Sequence, residues 1–184
     1  MLAPSSSNKD MPVILPGVAR RFLGYPVGMP QVQVFADVYR SADSMWRDLG
    51  SFQGIRSWHP MVTTASGDGE EPGATRTLET EDGLRWEERL VERDPAQRVY
   101  RYEATVSELP IADFHGEFRI RAGGQHRCTA IWSAHFTVTD GDEKTVSDAV
   151  RRFFRSGARA IERQYAPRPV AALRRRVRTL QRRL

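Results

Sequence analysis

Residues 75–90 read Thr-Arg-Thr-Leu-Glu-Thr-Glu-Asp-Gly-Leu-Arg-Trp-Glu-Glu-Arg-Leu. Asp82-Gly83 is hairpin chemistry, because glycine supplies a positive φ at no steric cost. Leu78 precedes the turn, and Leu84, Trp86 and Leu90 follow it at every second position, the period of a half-buried strand. A loop of Glu81-Asp82-Gly83 pairs Thr80 with Leu84, Leu78 with Trp86 and Arg76 with Glu88. A two-residue Asp-Gly loop sets Leu78 beside Glu87, and such a slip turns an apolar row against a charged one. The longer loop is therefore expected. It places one charged pair, Arg76 and Glu88, inside an otherwise apolar face.

The same alternation extends in both directions. Val32, Val34, Ala36 and Val38 oppose Gln31, Gln33 and Asp37 in a first strand. Ser41 or Asp43 can cap a short helix through Trp46 and Leu49, and a second short turn carries Ile55, Trp58 and His59 before Pro60. Further strands are expected around 61–66, 73–80, 84–93, 97–106, 113–121 and 127–138. Gly67-Asp-Gly69, Asp82-Gly83, Asp94-Pro95, Leu109-Pro110 and Gly123-Gly124 separate them. A helix follows from about Asp142 to Tyr165, with Val146, Val150, Phe153, Phe154, Gly157 and Ile161 near helical spacing. One strand, two short helices, a run of antiparallel strands and one long helix make an α+β chain.

The 184 residues suit one domain, 31–165, with a leader over 1–30 and a tail over 166–184. Five of the eleven prolines lie in the leader, whose apolar piece, Met11 to Pro16, is too short for a secretory signal. A cytoplasmic location is the expectation, with the single cysteine, Cys128, reduced and no internal disulfide. From Arg151 onward the chain has 12 arginines and one acid, Glu162, whereas the first 150 residues hold 16 basic and 22 acidic ones. The body is mildly acidic, which argues against a nucleic-acid surface on it.

Phe52-Gln-Gly-Ile-Arg-Ser-Trp-His-Pro60, Pro72-Gly-Ala-Thr-Arg76, Asp82-Gly83, Glu88-Arg-Leu90 and Asp94 carry a family resemblance. Tyr100, Tyr102, Pro110, Asp113-Phe114 and Ile131-Trp132 through Phe136 continue it. Over about 31–165 the chain resembles the SRPBCC (START-like) superfamily, and within it the polyketide cyclase/dehydrase type. The resemblance implies a helix-grip fold, a curved antiparallel sheet wrapped around the C-terminal helix, with an apolar cavity between them. It also implies that Arg76 and Glu88 face that cavity. Aromatases and cyclases, lipid carriers and plant hormone receptors all belong to this superfamily, so the resemblance does not choose among them.

The strand registers supply the candidate wall. Leu84, Trp86, Glu88 and Leu90 share one face; Tyr100, Tyr102, Ala104 and Val106 share the next. Phe114, Gly116, Phe118 and Ile120 follow, then Cys128, Ala130, Trp132, Ala134 and Phe136. With Leu78, Trp58 at the entrance, and Phe153 and Gly157 on the helix, these rows give a binding site for a hydrophobic or aromatic molecule. A loop of Asp94-Pro95-Ala96 pairs Glu88 with Tyr102, which makes Arg76, Glu88 and Tyr102 one constellation. Three readings of it stay open. It is a structural ion pair; or a fixed dipole that orients a ligand; or an acid–base set in which Glu88 moves a proton and a tyrosine donates to a developing enolate, without a cofactor. His59 is a candidate proton shuttle by its unperturbed pKa, or else a surface or hinge residue. His115, His126 and His135 have no metal-ligand spacing, so no metal is expected. The glycine-rich 67–73 segment lacks the residues of a phosphate loop and is read as a connector.

Pro167 and Pro169 interrupt the helix, after which Val170, Leu173, Val177, Leu180 and Leu184 recur at 3-4-3-4 spacing among arginines. Arg174, Arg175, Arg176 and Arg178 can meet an anionic membrane, an acidic acyl carrier protein, or only solvent. The apolar stripe can also pair with a second copy, so a homodimer is open. Two functions are carried forward: a cofactor-free polyketide-type cyclase or dehydratase, and a non-catalytic lipid or hydrophobic-ligand carrier.

Overall fold

In a computed structural model the described residues are 31–167. The 1–30 leader and the stripe over 168–184, with Arg174, Arg175, Arg176 and Arg178, lie outside them. The elements run β1 (Gln31–Val38), α1 (Ala42–Leu49), a 3-10 turn (Gln53–Ser57), β2 (Val62–Asp68), β3 (Thr75–Thr80), β4 (Arg85–Asp94), β5 (Val99–Ser107), β6 (Ile111–Ala122), β7 (Cys128–Val138) and α2 (Glu143–Gln164). The seven strands form one antiparallel sheet in the order β1-β7-β6-β5-β4-β3-β2. The architecture is the expected α+β helix-grip fold.

Ser41 caps α1, its hydroxyl accepting the amide of Ser44 at 3.3 Å. Asp142 caps α2 by accepting both the amide and the hydroxyl of Thr145, at 2.8 and 2.7 Å. Val146, Val150, Phe153, Phe154, Ala158 and Ile161 form the buried stripe of α2. That stripe meets the inward rows of the sheet in one continuous apolar core. Burying each large side chain is worth about 1.5–3 kcal/mol, which is what holds a charged helix against the sheet. At the far end the Tyr165 hydroxyl donates to Asp48 Oδ2 of α1 at 3.0 Å. No helix among the described residues is long and apolar enough to cross a membrane.

The β3–β4 hairpin takes the expected three-residue loop. Gly83 has φ +84°, Thr80 and Leu84 are bonded at 3.0 Å, and Leu78 pairs Trp86 while Arg76 pairs Glu88. The next hairpin departs from expectation. Its loop is longer, with Asp94 pairing Val99, and a bulge at Val91 adds an extra residue to β4. Tyr102 therefore pairs Leu90, and Ala104 stands opposite Glu88. A second bulge, at Thr105, flips the end of β5, so Val106 faces solvent and is 52% exposed.

Tyr102 lies across β6 from Gly116, where a Cβ would stand only 2.2 Å from the Tyr102 ring. The phenol occupies the volume that any other residue would fill. Gly116→Ala should lower stability by about 1–3 kcal/mol through overpacking, read as a fall in the urea midpoint at unchanged slope. An unchanged midpoint would contradict this packing.

Candidate functional site

The inner end of the site is the pair that the β3–β4 register brings together. Arg76 and Glu88 are 1% and 3% exposed. Arg76 Nε donates to Glu88 Oε2 at 2.5 Å, and Nη2 stands 2.5 Å from the same oxygen. Nη1 donates to the carbonyl oxygen of Phe52. The guanidinium carbon lies 4.1 Å from the Phe52 ring centroid and 5.4 Å from that of Tyr102. Burial alone would lower the pKa of Arg76, but the charge and hydrogen bond of Glu88, together with Tyr100 and Tyr102, hold it above the ordinary value. Glu88 Oε1 in turn accepts the indole N–H of Trp86 at 3.0 Å. A carboxylate offers about four lone-pair sites, so Glu88 keeps acceptor capacity beyond these donors.

The segment that supplies the Phe52 carbonyl is itself clamped. Glu70 accepts the hydroxyl of Ser51 at 2.5 Å, the amide of Phe52 at 2.9 Å and the amide of Gln53 at 3.3 Å. Burial would raise its pKa, but these hydrogen bonds and the charge of Arg93 hold it below the usual carboxylate value. The 67–73 segment thus anchors the turn after α1. No local pattern announces this, since the partners lie 17–19 residues away in the chain.

A cavity of about 50 Å³ lies between β4, β5, β6 and the first half of α2. Trp86 and Glu88, Phe114 and Phe153 line it, together with Leu84, Ala104, Ile111 and Val150. Asp82 and Arg152 are its exposed lining residues and mark the mouth. Ile111, Leu109 and Arg152 were not singled out from the sequence. The first two sit where a Leu-Pro turn reads as a break, and Arg152 reads as one more solvated charge.

The other candidates lie elsewhere. Leu78, Tyr100, Tyr102, Phe118, Trp132 and Trp58 are buried in the packed core. The Tyr102 hydroxyl accepts the indole N–H of Trp132 at 2.6 Å. Burial, reinforced by the charge of Glu88, pushes this phenol well above its ordinary pKa. Burial also pushes Tyr100 up to about 12. Trp58 packs on Phe118 and Trp132, with ring centroids 5.7 and 5.5 Å away.

His59 faces α2. Its Nδ1 accepts the amide of Met61 at 3.3 Å, which leaves Nε2–H to donate to the Phe153 carbonyl at 3.1 Å. The ring stacks on Phe153 with centroids 4.0 Å apart. Gly157 makes room for it, because a Cβ there would lie 2.6 Å from His59 Cδ2. Burial, assisted by the positive charge of Arg76, lowers the pKa of His59 to about 4. Both nitrogens are engaged in the neutral form. Among the described residues no group of three or more His, Cys, Asp and Glu is placed to hold a metal ion.

A curved sheet gripping a long helix, with an apolar cavity between them and one buried carboxylate in its lining, defines a hydrophobic-ligand-binding class of protein. A family model described as polyketide cyclase/dehydrase and lipid transport matches residues 29–166, and the chain belongs to that family. No curated protein matches the sequence. Among solved structures the chain is similar to the protein XoxI from Bacillus cereus, with a TM-score of 0.70 at 18% identity, over 74% of this chain and 96% of that one. It is also similar to the ZhuI aromatase/cyclase from a Streptomyces species, with a TM-score of 0.64 at 19% identity over 74% and 93%. Norcoclaurine synthase from Thalictrum flavum, solved with dopamine and hydroxybenzaldehyde, gives 0.57 at 14% identity over 74% and 86%. At these identities the likeness establishes the fold.

Two outcomes follow from the buried groups. Arg76→Met strands a buried carboxylate and should cost about 3–5 kcal/mol at pH 7, while adding Glu88→Leu should restore most of that loss. Chemical denaturation of both variants checks it, and a double variant as unstable as the single one would contradict it. The folded-state pKa of His59 lies below its unfolded value of 6.5. The unfolded chain therefore takes up the proton first as pH falls. Stability that is full above pH 6.5 should decline by about 3 kcal/mol toward pH 4. In an NMR titration the His59 ring should show no inflection above pH 5.

Proposed function

We propose that the protein binds a small hydrophobic or aromatic molecule in the cavity between the sheet and α2, and that Glu88 holds a hydroxyl or enol of that molecule. The observation that carries this reading is the placement of Glu88 as a buried carboxylate in an otherwise largely apolar lining. Arg76 and Trp86 fix its orientation before the ligand arrives, and such preorganisation favours both binding and proton transfer. In a polyketide-type cyclase or dehydratase, the apolar walls would fold a flexible chain and Glu88 would take a proton from a carbon flanked by carbonyls. No cofactor is needed for such a step. The similarity to a structure named aromatase/cyclase supports this class of substrate.

A second reading, a non-catalytic carrier, is favoured by a specific observation. The hydroxyl of Tyr102 is bonded to Trp132, and neither Tyr100 nor Tyr102 lines the cavity. The cavity lining then offers no tyrosine hydroxyl to donate to a developing oxyanion. At about 50 Å³ the cavity is also tighter than the ~150 Å³ hole that takes a benzene ring. A ring-sized ligand needs lining side chains to move.

Glu88→Gln separates the two readings. It keeps the shape and removes the base, so an enzyme should lose turnover of a poly-β-ketone chain by 10²-fold or more, on the order of general-base effects, with binding retained. A carrier should show no turnover with either protein and at most weaker binding in the variant. Native mass spectrometry of the purified protein, followed by denaturing extraction, identifies what is bound. Repeated failure of any apolar molecule to bind would overturn both readings.

A further inference from the structure

Among the described residues, most arginines of the strands and their turns meet a carboxylate: Arg76, Arg85, Arg89, Arg93, Arg98, Arg101 and Arg119 do so, while Arg121 and Arg127 make no ion pair. On the outer face of α2 the balance is reversed. Arg151 shares Asp148 with Lys144, whereas Arg152, Arg155, Arg159 and Arg163 make no ion pair with any described residue. Arg151, Arg155, Arg159 and Arg163 also follow one another at i,i+4, a spacing at which like charges repel and weaken the helix. These side chains border an open groove of about 590 Å³, with Ser156 between them and Glu81 and Asp148 as its acidic members. Arg152 and Met61 line both this groove and the apolar cavity. The two spaces therefore adjoin at Arg152.

We infer that the ligand is an anionic amphiphile, whose apolar part enters the cavity and whose carboxylate or phosphate head rests on Arg152 and Arg155 at the mouth. This deepens the ligand-binding reading above and rests on it. The head is disfavoured inside, because the inner lining is largely apolar and its one buried charged member, Glu88, is an anion whose counter-charge, Arg76, is already engaged. At the mouth one exposed acid, Asp82, faces Arg152 and, in the adjoining groove, Arg155, Arg159 and Arg163. Guanidinium groups without carboxylate partners offer charge-assisted, bidentate contacts that discriminate an anionic head from a neutral one of the same size. The head group is equally that of a soluble organic acid or of an anionic lipid in a bilayer.

The test is a matched pair of probes, 4-phenylbutyrate and 4-phenylbutan-1-ol, titrated calorimetrically at pH 7 into the full-length protein and into Arg152→Gln/Arg155→Gln. Both positions are exposed, so the fold should be unaffected. The expected result is about tenfold tighter binding of the acid than of the alcohol by the wild type, and equal binding of the two by the variant. Restoring charge with Arg152→Lys/Arg155→Lys should bring back part of the preference. Equal affinity of the wild type for both probes would overturn this assignment while leaving the cavity reading intact. So would a preference that survives in the glutamine variant, which would place the anion contact elsewhere. Binding of neither probe would overturn both. Co-sedimentation with phosphatidylcholine vesicles, with and without phosphatidylglycerol, distinguishes the source. Binding that needs both the anionic lipid and the two arginines identifies a bilayer lipid. An acid preference in solution without vesicle binding identifies a free amphiphile.

Discussion

The structure depends on one buried ion pair. Arg76 and Glu88 face each other across β3 and β4, and removing either leaves an uncompensated charge in a low-dielectric core. The pair locks the hairpin register, since any slip would carry both charges out of contact. It also reaches beyond the hairpin. Through the Phe52 carbonyl, Arg76 holds the turn after α1, which Glu70 grips from the other side. Through Trp86, Glu88 orients one wall of the cavity. In the proposed function, the arginine that stabilises the core would also orient the carboxylate for a ligand.

The extent to which the sequence revealed this arrangement varied with the kind of constraint involved. The β3–β4 register was readable because two independent signals agreed: the glycine required by the loop, and an apolar row that tolerates no one-residue shift. The β4–β5 register was not, because bulges at Val91 and Thr105 are stored in backbone geometry and carry no characteristic residue. The longer loop moves Tyr102 away from Glu88, the bulge at Val91 keeps it on the inward row opposite Leu90, and the bulge at Thr105 turns Val106 outward. The inward rows were otherwise legible, but burial alone does not say whether a side chain lines a space or fills one. Phe118 and Trp132 fill; Trp86, Phe114 and Phe153 line. That distinction is set by where α2 lands on the sheet, and no periodicity within a single strand encodes it.

The charge pattern illustrates the same limit. Counting arginines marks the C-terminal part of the chain as basic, yet only the three-dimensional pairing separates those neutralised by a carboxylate from those without one. On the sheet most arginines meet an acid of the same or a neighbouring strand. On α2 the acids are too few, and a row of like charges results.

The contact between His59 and α2 has a kinetic consequence. Because Gly157 lacks a side chain, the imidazole reaches the carbonyl of Phe153 and stacks on that residue's ring. Phe153 is at once a wall of the cavity and the anchor of the loop that carries His59. A ligand large enough to displace this ring must disturb the imidazole as well, so the wall and the loop move as one unit. Uptake of such a ligand is then paced by an internal rearrangement rather than by diffusion, and its observed rate levels off as ligand concentration rises.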